Sequence, residues 1–112
     1  MVWQYGHNVL AILSVSLLMI SSTVTADSAI SKLRQSELDN IFEQDCGSCH
    51  GLTRKGGLGS PLLPGMLAEK SDEVLLEIVL DGLPGTAMPP WRPFLTLAEA
   101  SYIVDLMRKP KP

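Results

Sequence analysis

The chain has 112 residues, twelve Asp and Glu against nine Lys and Arg, a formal charge of −3 and two cysteines. That length allows one small domain; its mild acidity argues against a nucleic-acid partner and suits a partner with a positive face. A domain this small buries a limited core and usually needs a staple such as a disulfide, a metal or a cofactor.

The front end, "MVWQYGHN" followed by the apolar run Val9–Ile20 and then "SSTVTADS", reads as the leader of an exported protein. The run is shorter than the roughly 20 residues a spanning helix needs, and Val24-Thr25-Ala26 is an acceptable cleavage site. Residues 1–26 are therefore expected to be a signal peptide and residues 27–112 the mature domain, with no permanent membrane span. No Lys or Arg precedes Val9, so an uncleaved amphipathic anchor is the alternative.

Three main helices and no alternating strands are expected in the mature domain, which makes it all-α. In "SELDNIFEQDC", Leu38, Ile41 and Phe42 fall at helical spacing, with Ser36 as N-cap, and the helix delivers Cys46 to its end. In "SDEVLLEIVLDG", Ser71 caps, Asp72 and Glu73 suit the helix dipole, Leu75, Ile78 and Val79 form the buried stripe, and Gly82 stops the helix. In "TLAEASYIVDLMRK", Thr96 and Glu99 make a capping box, and Leu97, Ala100, Val104 and Met107 form the apolar face. Between these lie "GLTRKGGLGSPLLPG" and "LPGTAMPPWRPF", too rich in Gly and Pro for regular structure and too long to be idle, so they are expected to wrap around something.

The chemistry is concentrated in "CGSCH", Cys46 to His50. A structural zinc site needs four ligands, and the mature chain has no second Cys-x-x-Cys or His pair to complete one. A thioredoxin-type dithiol belongs at the end of a strand in a βαβ unit, which the pattern lacks. A Cys46–Cys49 disulfide would close too small a loop to stabilise much. Cys-x-x-Cys-His is the pattern of covalent haem attachment, with Cys46 and Cys49 linked to the porphyrin edge and His50 on the iron. Export agrees, since c-type haem is attached outside the bacterial cytoplasm, and the periplasm is the expected location. The other histidine, His7, lies in the leader, so the sixth ligand falls to a methionine or lysine unless the site is open. Met107 belongs to a helix stripe, and Met66, in "LPGMLAEK", suits gap-filling against the ring. Met88, in "GTAMPPW", sits in a loop stiffened by two prolines and is the preferred ligand, with Met66 in reserve.

"CGSCH", "GLGSPLL", "GTAMPPW" and the aromatic-bearing last helix resemble class I cytochromes c over Leu38 to Met107. The run "SDEVLLEIVLDGLPGTAMPPW" is most similar to the small monohaem cytochromes found with cytochrome cd nitrite reductase in denitrifying bacteria. The resemblance implies one haem c, the small class I fold with its helices and long loops around that haem, and Pro61 as the residue whose carbonyl orients His50. It also implies that Phe42 and Tyr102 pack where first and last helices cross, with Leu38 standing where many relatives have glycine. Trp91 and Arg92 are candidates for haem propionate contacts or, equally, surface anchors.

No substrate pocket, acid/base pair or nucleophile accompanies the motif, so a monomeric, non-enzymatic one-electron carrier is expected. Its partners would be redox proteins, by resemblance cytochrome cd nitrite reductase or the proteins that mature its haem. A gas-binding or redox subunit of a larger complex, with a displaceable sixth ligand, is the alternative.

Overall fold

Ser31 opens the first helix of the computed structural model, which describes residues 29–111; the assigned leader and His7 lie outside them. Its backbone is non-helical and its Oγ accepts from Arg34 N at 3.2 Å, so α1 (Lys32–Ile41) starts earlier than expected and Ser36 is an exposed interior residue, not the cap. Lys32 to Gln35 carry no turn signal and Lys, Leu, Arg and Gln are good helix formers, so the first serine able to cap took the position. α1 runs on through a π-helical turn, Phe42–Cys46, into the short α2 (Gly47–His50). Gly51, at φ 84°, ends the run directly after the histidine.

α3 (Pro64–Leu67) begins with proline at its first position, where no amide donor is missed. α4 (Asp72–Asp81) has Ser71 Oγ accepting from Val74 N and ends at Gly82, as expected. Its buried positions are Leu75, Val79 and Leu80, and Leu76 packs against them. Ile78 is only half-buried, so the stripe is the pair of i,i+4 rows 75/79 and 76/80. α5 (Leu97–Arg108) carries the expected capping box between Thr96 and Glu99. Its buried face is Ala100, Ile103, Val104 and Met107. Leu97, expected on that face, is 62% exposed because the stripe starts a turn later, beyond the capped end. No strand occurs among the described residues.

The core forms where α5 lies against both α1 and α4. Leu38 is fully buried, and α5 brings the small Ala100, likewise fully buried, into the same cluster. Phe42 is buried and Tyr102 is half-buried against the same core, its hydroxyl donating to Asp39 Oδ1 at 2.9 Å across the helix pair. At the other end of this contact Arg34 Nε meets Glu99 Oε1 at 2.6 Å, while Glu99 Oε2 accepts from Thr96 N. The helices thus frame the two irregular stretches, each pinned at both ends.

Glu99 is held at about 2 against an ordinary 4.5, first by the hydrogen bond from Arg34 and then by the Thr96 amide. A carboxylate whose folded value is depressed stabilises the fold above its unfolded value and loses that contribution as pH falls toward the folded one. Glu99→Gln should therefore cost about 1 kcal/mol at neutral pH. In denaturant titrations the gap from the parent should narrow from about pH 4.5 and vanish near pH 2.

Candidate haem site

The motif is presented by the end of the α1–π–α2 run. A π turn has a wider bore than an α turn and resets the face on which following side chains emerge. The core contacts of Leu38 and Phe42 therefore need not dictate where Cys46, Cys49 and His50 point. Both thiols are free and half-buried. Burial, with the nearby Asp45 charge, pushes the Cys46 thiol up to about 11. A lowered value in an electropositive setting marks a reactive thiol, and the surroundings of Cys46 push the other way. No cluster of three or more His, Cys, Asp or Glu side chains able to hold a metal ion occurs among the described residues.

His50 Nδ1 lies 2.6 Å from the backbone oxygen of Ser60. A carbonyl can only accept, so Nδ1 carries the proton and Nε2 keeps its lone pair. The acceptor differs from the Pro61 carbonyl expected from resemblance. Pro61 acts one step removed: its ring drives the preceding residue toward an extended backbone, which aims the Ser60 oxygen. The connecting loop folds tightly around the histidine, Gly56 N donating to His50 O and Gly59 N to Cys49 O, each at 2.8 Å. A Cβ on Gly59 would stand 2.6 Å from His50 Cε1, and one on Gly57 would stand 2.8 Å from Cys49 O. Glycine at 59 thus allows close approach to the His50 ring, and glycine at 57 close approach to the Cys49 carbonyl.

Met88 is half-buried in a turn that is held by more than its prolines. Leu83 N donates to Met88 O at 3.2 Å, Met88 N to Thr86 Oγ1 at 3.2 Å, and Thr86 Oγ1 to Leu83 O at 2.7 Å. Gly82, at φ 68°, takes the loop backbone directly against it: a Cβ there would lie 2.7 Å from Met88 O. Of the other methionines, Met107 is buried in the helix core, as expected, and Met66 is 63% exposed on α3. Exposed Met66 fills no gap among the protein's own side chains.

Arg92 is committed elsewhere. Its Nε and Nη2 form a two-pronged pair with Asp81 at 2.8 and 2.7 Å, an anchor between the loop and the end of α4. The two amides that follow the prolines reinforce it, Trp91 N donating to Val79 O and Arg92 N to Leu80 O. Trp91 packs against the core and meets Phe94 edge-on. Of the two alternatives, the surface anchor is the one that the Arg92 geometry supports.

The residues fit a haem. Two thiols and an imidazole of defined tautomer follow one another on a helix end. The segments flanking them carry large apolar side chains, Leu52, Leu58, Met66 and Leu83, that the helix core leaves exposed. A flat apolar group is what such segments can enclose.

An all-α chain with this motif at the end of its first helix has the architecture of a class I cytochrome c. Residues 34–107 match the family model described as cytochrome c oxidase, cbb3-type, subunit III. Cytochrome c55X of Paracoccus denitrificans is 46% identical over 103 residues, covering 89% of this chain and 96% of that protein. The solved c-type cytochrome NirC superposes with a TM-score of 0.68 at 45% identity, covering 70% of this chain and 92% of the other. The solved dihydro-heme d1 dehydrogenase NirN in complex with DHE gives 0.62 at 32% identity over 66% of this chain, but only 16% of its own. The chain belongs to the c-type cytochrome family, together with cytochrome c55X and NirC, and its cofactor is covalent haem c.

Sequence reasoning did not single out Ser60, Gly59 or Thr86, and it read Gly82 only as a helix stop. The "GLGSP" and "DGLPGT" strings mark close turns, but which atom each turn brings to His50 or Met88 is a tertiary matter. Gly59→Ala should force the imidazole aside and lower the haem-loaded fraction, read by the haem-to-protein absorbance ratio and by mass. Gly65→Ala, where a Cβ meets nothing within 4 Å, should leave that ratio unchanged.

Proposed function

We propose that residues 27–112 are a periplasmic, monomeric one-electron carrier, exported by a leader at residues 1–26. Cys46 and Cys49 are the thioether anchors, His50 and Met88 the axial ligands of the iron, and Trp91 a propionate donor. The observation that carries the reading is the Ser60 carbonyl on His50 Nδ1, which leaves Nε2 as the one ring nitrogen able to bind iron. The same bond strengthens the imidazole as a donor. The pinned turn around Met88 supports that residue as the sixth ligand, because a weak thioether needs a loop that does not pay for ordering each time it binds. The haem supplies a one-electron Fe(III)/Fe(II) couple, and histidine with methionine raises its potential relative to two histidines. The protein residues hold the ring, orient it and keep its geometry the same in both oxidation states. No helix among the described residues is long and apolar enough to cross a membrane.

Kinship with NirC and partial likeness to a dihydro-heme d1 dehydrogenase support service in nitrite reduction, or in maturation of the nitrite reductase haem. A dehydrogenase releases electrons that a carrier must take away, and a reductase consumes them. Reduced protein mixed with cytochrome cd nitrite reductase and nitrite should be reoxidised if it is a donor. If it is the acceptor in maturation, the oxidised protein should be reduced by a dihydro-haem dehydrogenase with its substrate. Failure in both assays would sink the denitrification link.

Met88→Ala should abolish the red-edge sulfur-to-iron charge-transfer band, lower the potential and let the ferrous protein bind carbon monoxide. Met66→Ala should keep all three properties of the parent. Loss of the band in Met66→Ala alone would move the sixth ligand to Met66, and ready binding of carbon monoxide by the parent would favour the gas-binding alternative.

A further inference from the structure

Among the described residues, Arg54 is the one non-glycine residue with a left-handed backbone, φ 61°. That conformation strains an arginine and not a glycine, in a loop that uses glycine freely. The side chain must therefore hold something a glycine could not.

It holds the loop that serves His50. Arg54 N donates to Gly51 O at 2.8 Å and Arg54 O accepts from Leu62 N at 2.9 Å, so its backbone closes the segment from both ends. Its guanidinium carbon stands 5.0 Å over the Phe42 ring, in the π turn that leads into the motif. Its Nη1 donates to Leu106 O at 3.0 Å and to Lys109 O at 2.9 Å, carbonyls at the end of α5 that have no helical donor ahead of them. Lys111 Nζ adds a second tie from the same tail to Leu52 O. Arg54 and His50 line one cleft with Phe42, Gly47 and Leu62. A planar fork that stacks on an aromatic while bonding carbonyls is a task lysine performs poorly.

We propose that Arg54 is a positioning residue for the iron ligand. It clamps the loop from Gly51 to Leu62 between the ends of the first and last helices, and so keeps the Ser60 oxygen on His50 Nδ1. Through that bond it sets the donor strength of the imidazole and the reduction potential. The link to the potential rests on His50 being an axial ligand.

Arg54→Gly relieves the backbone strain and removes the whole side chain, while Arg54→Lys keeps the charge without the planar guanidinium. Arg34→Gln breaks the ion pair at the capped end of α5 and serves as a control for lost stability. On the haem-loaded full protein, exchange of the His50 Nδ1 proton is followed by NMR in the ferrous state, and the potential by spectroelectrochemistry. Both Arg54 variants should speed the exchange about tenfold, the equivalent of one lost hydrogen bond, and raise the potential; Arg34→Gln should change neither. The sign is diagnostic. A weakened imidazole donor stabilises the ferric state less, so the potential rises, whereas loss of a positive charge alone would lower it. Unchanged exchange, or a lowered potential in Arg54→Gly with none in Arg54→Lys, would overturn the proposal. Faster exchange with an unmoved potential in Arg54→Lys, where the charge is kept, would leave the clamp standing and overturn its link to the potential.

Discussion

The hydrogen bond between His50 Nδ1 and the Ser60 carbonyl is the constraint around which this small domain is arranged. An imidazole at the end of a helix could present either nitrogen and rotate about two bonds. A single backbone acceptor settles both the tautomer and the ring plane. To place that acceptor the chain must return on itself within ten residues, and this demand explains the glycines, the proline after Ser60 and the left-handed Arg54 together. Local backbone strain at such a place is compensated by contacts that converge on it from elsewhere in the fold.

The helices supply the frame rather than the chemistry. α5 is the hub: it buries its apolar face against α1 and α4, its capped start is tied to α1 through Arg34, and its end is tied to the loop after His50 through Arg54. Arg108 extends the same logic, donating to Leu67 O and pairing with Asp72, so that α3 and α4 are also fastened to the last turn of α5. Arginine does this work repeatedly because one planar group can satisfy several carbonyls at a helix terminus.

The side chains divide accordingly. The core is mainly aliphatic, with Leu38, Ala100 and Ile103 its most deeply buried members and Phe42 the aromatic among them. Of the irregular segments, Leu62 and Leu95 join that core, whereas Leu52, Leu58 and Leu83 are left exposed. In a domain too small to bury every apolar residue against itself, those segments are matched to a cofactor, and the chain's membership of the c-type cytochromes says which one.

Much of this was legible from local patterns. Capping chemistry is written in two or three adjacent residues, so the Ser71 and Thr96 helix starts and the Gly82 stop could be read directly. The pentapeptide from Cys46 to His50 carries its own chemistry. Errors arose where two local solutions were equivalent. Ser31 and Ser36 both suit a cap, and Leu97 continues the periodicity of a stripe that the structure ends before reaching it. Nothing within "WRP" says that Arg92 would find Asp81, because the partner lies on another element.

The amino-acid sequence alone determined the fold class, the haem motif and the helices that carry it, since each depends on bonds or contacts spanning a few residues. Only the tertiary structure decided that Ser60, not Pro61, faces His50, that Arg92 belongs to Asp81, and that Arg54 reaches the end of α5. Those pairings bring together atoms far apart along the chain or differing by a single register step. Which of several chemically equal partners meets is then settled by where the packed helices and the closed loop put them.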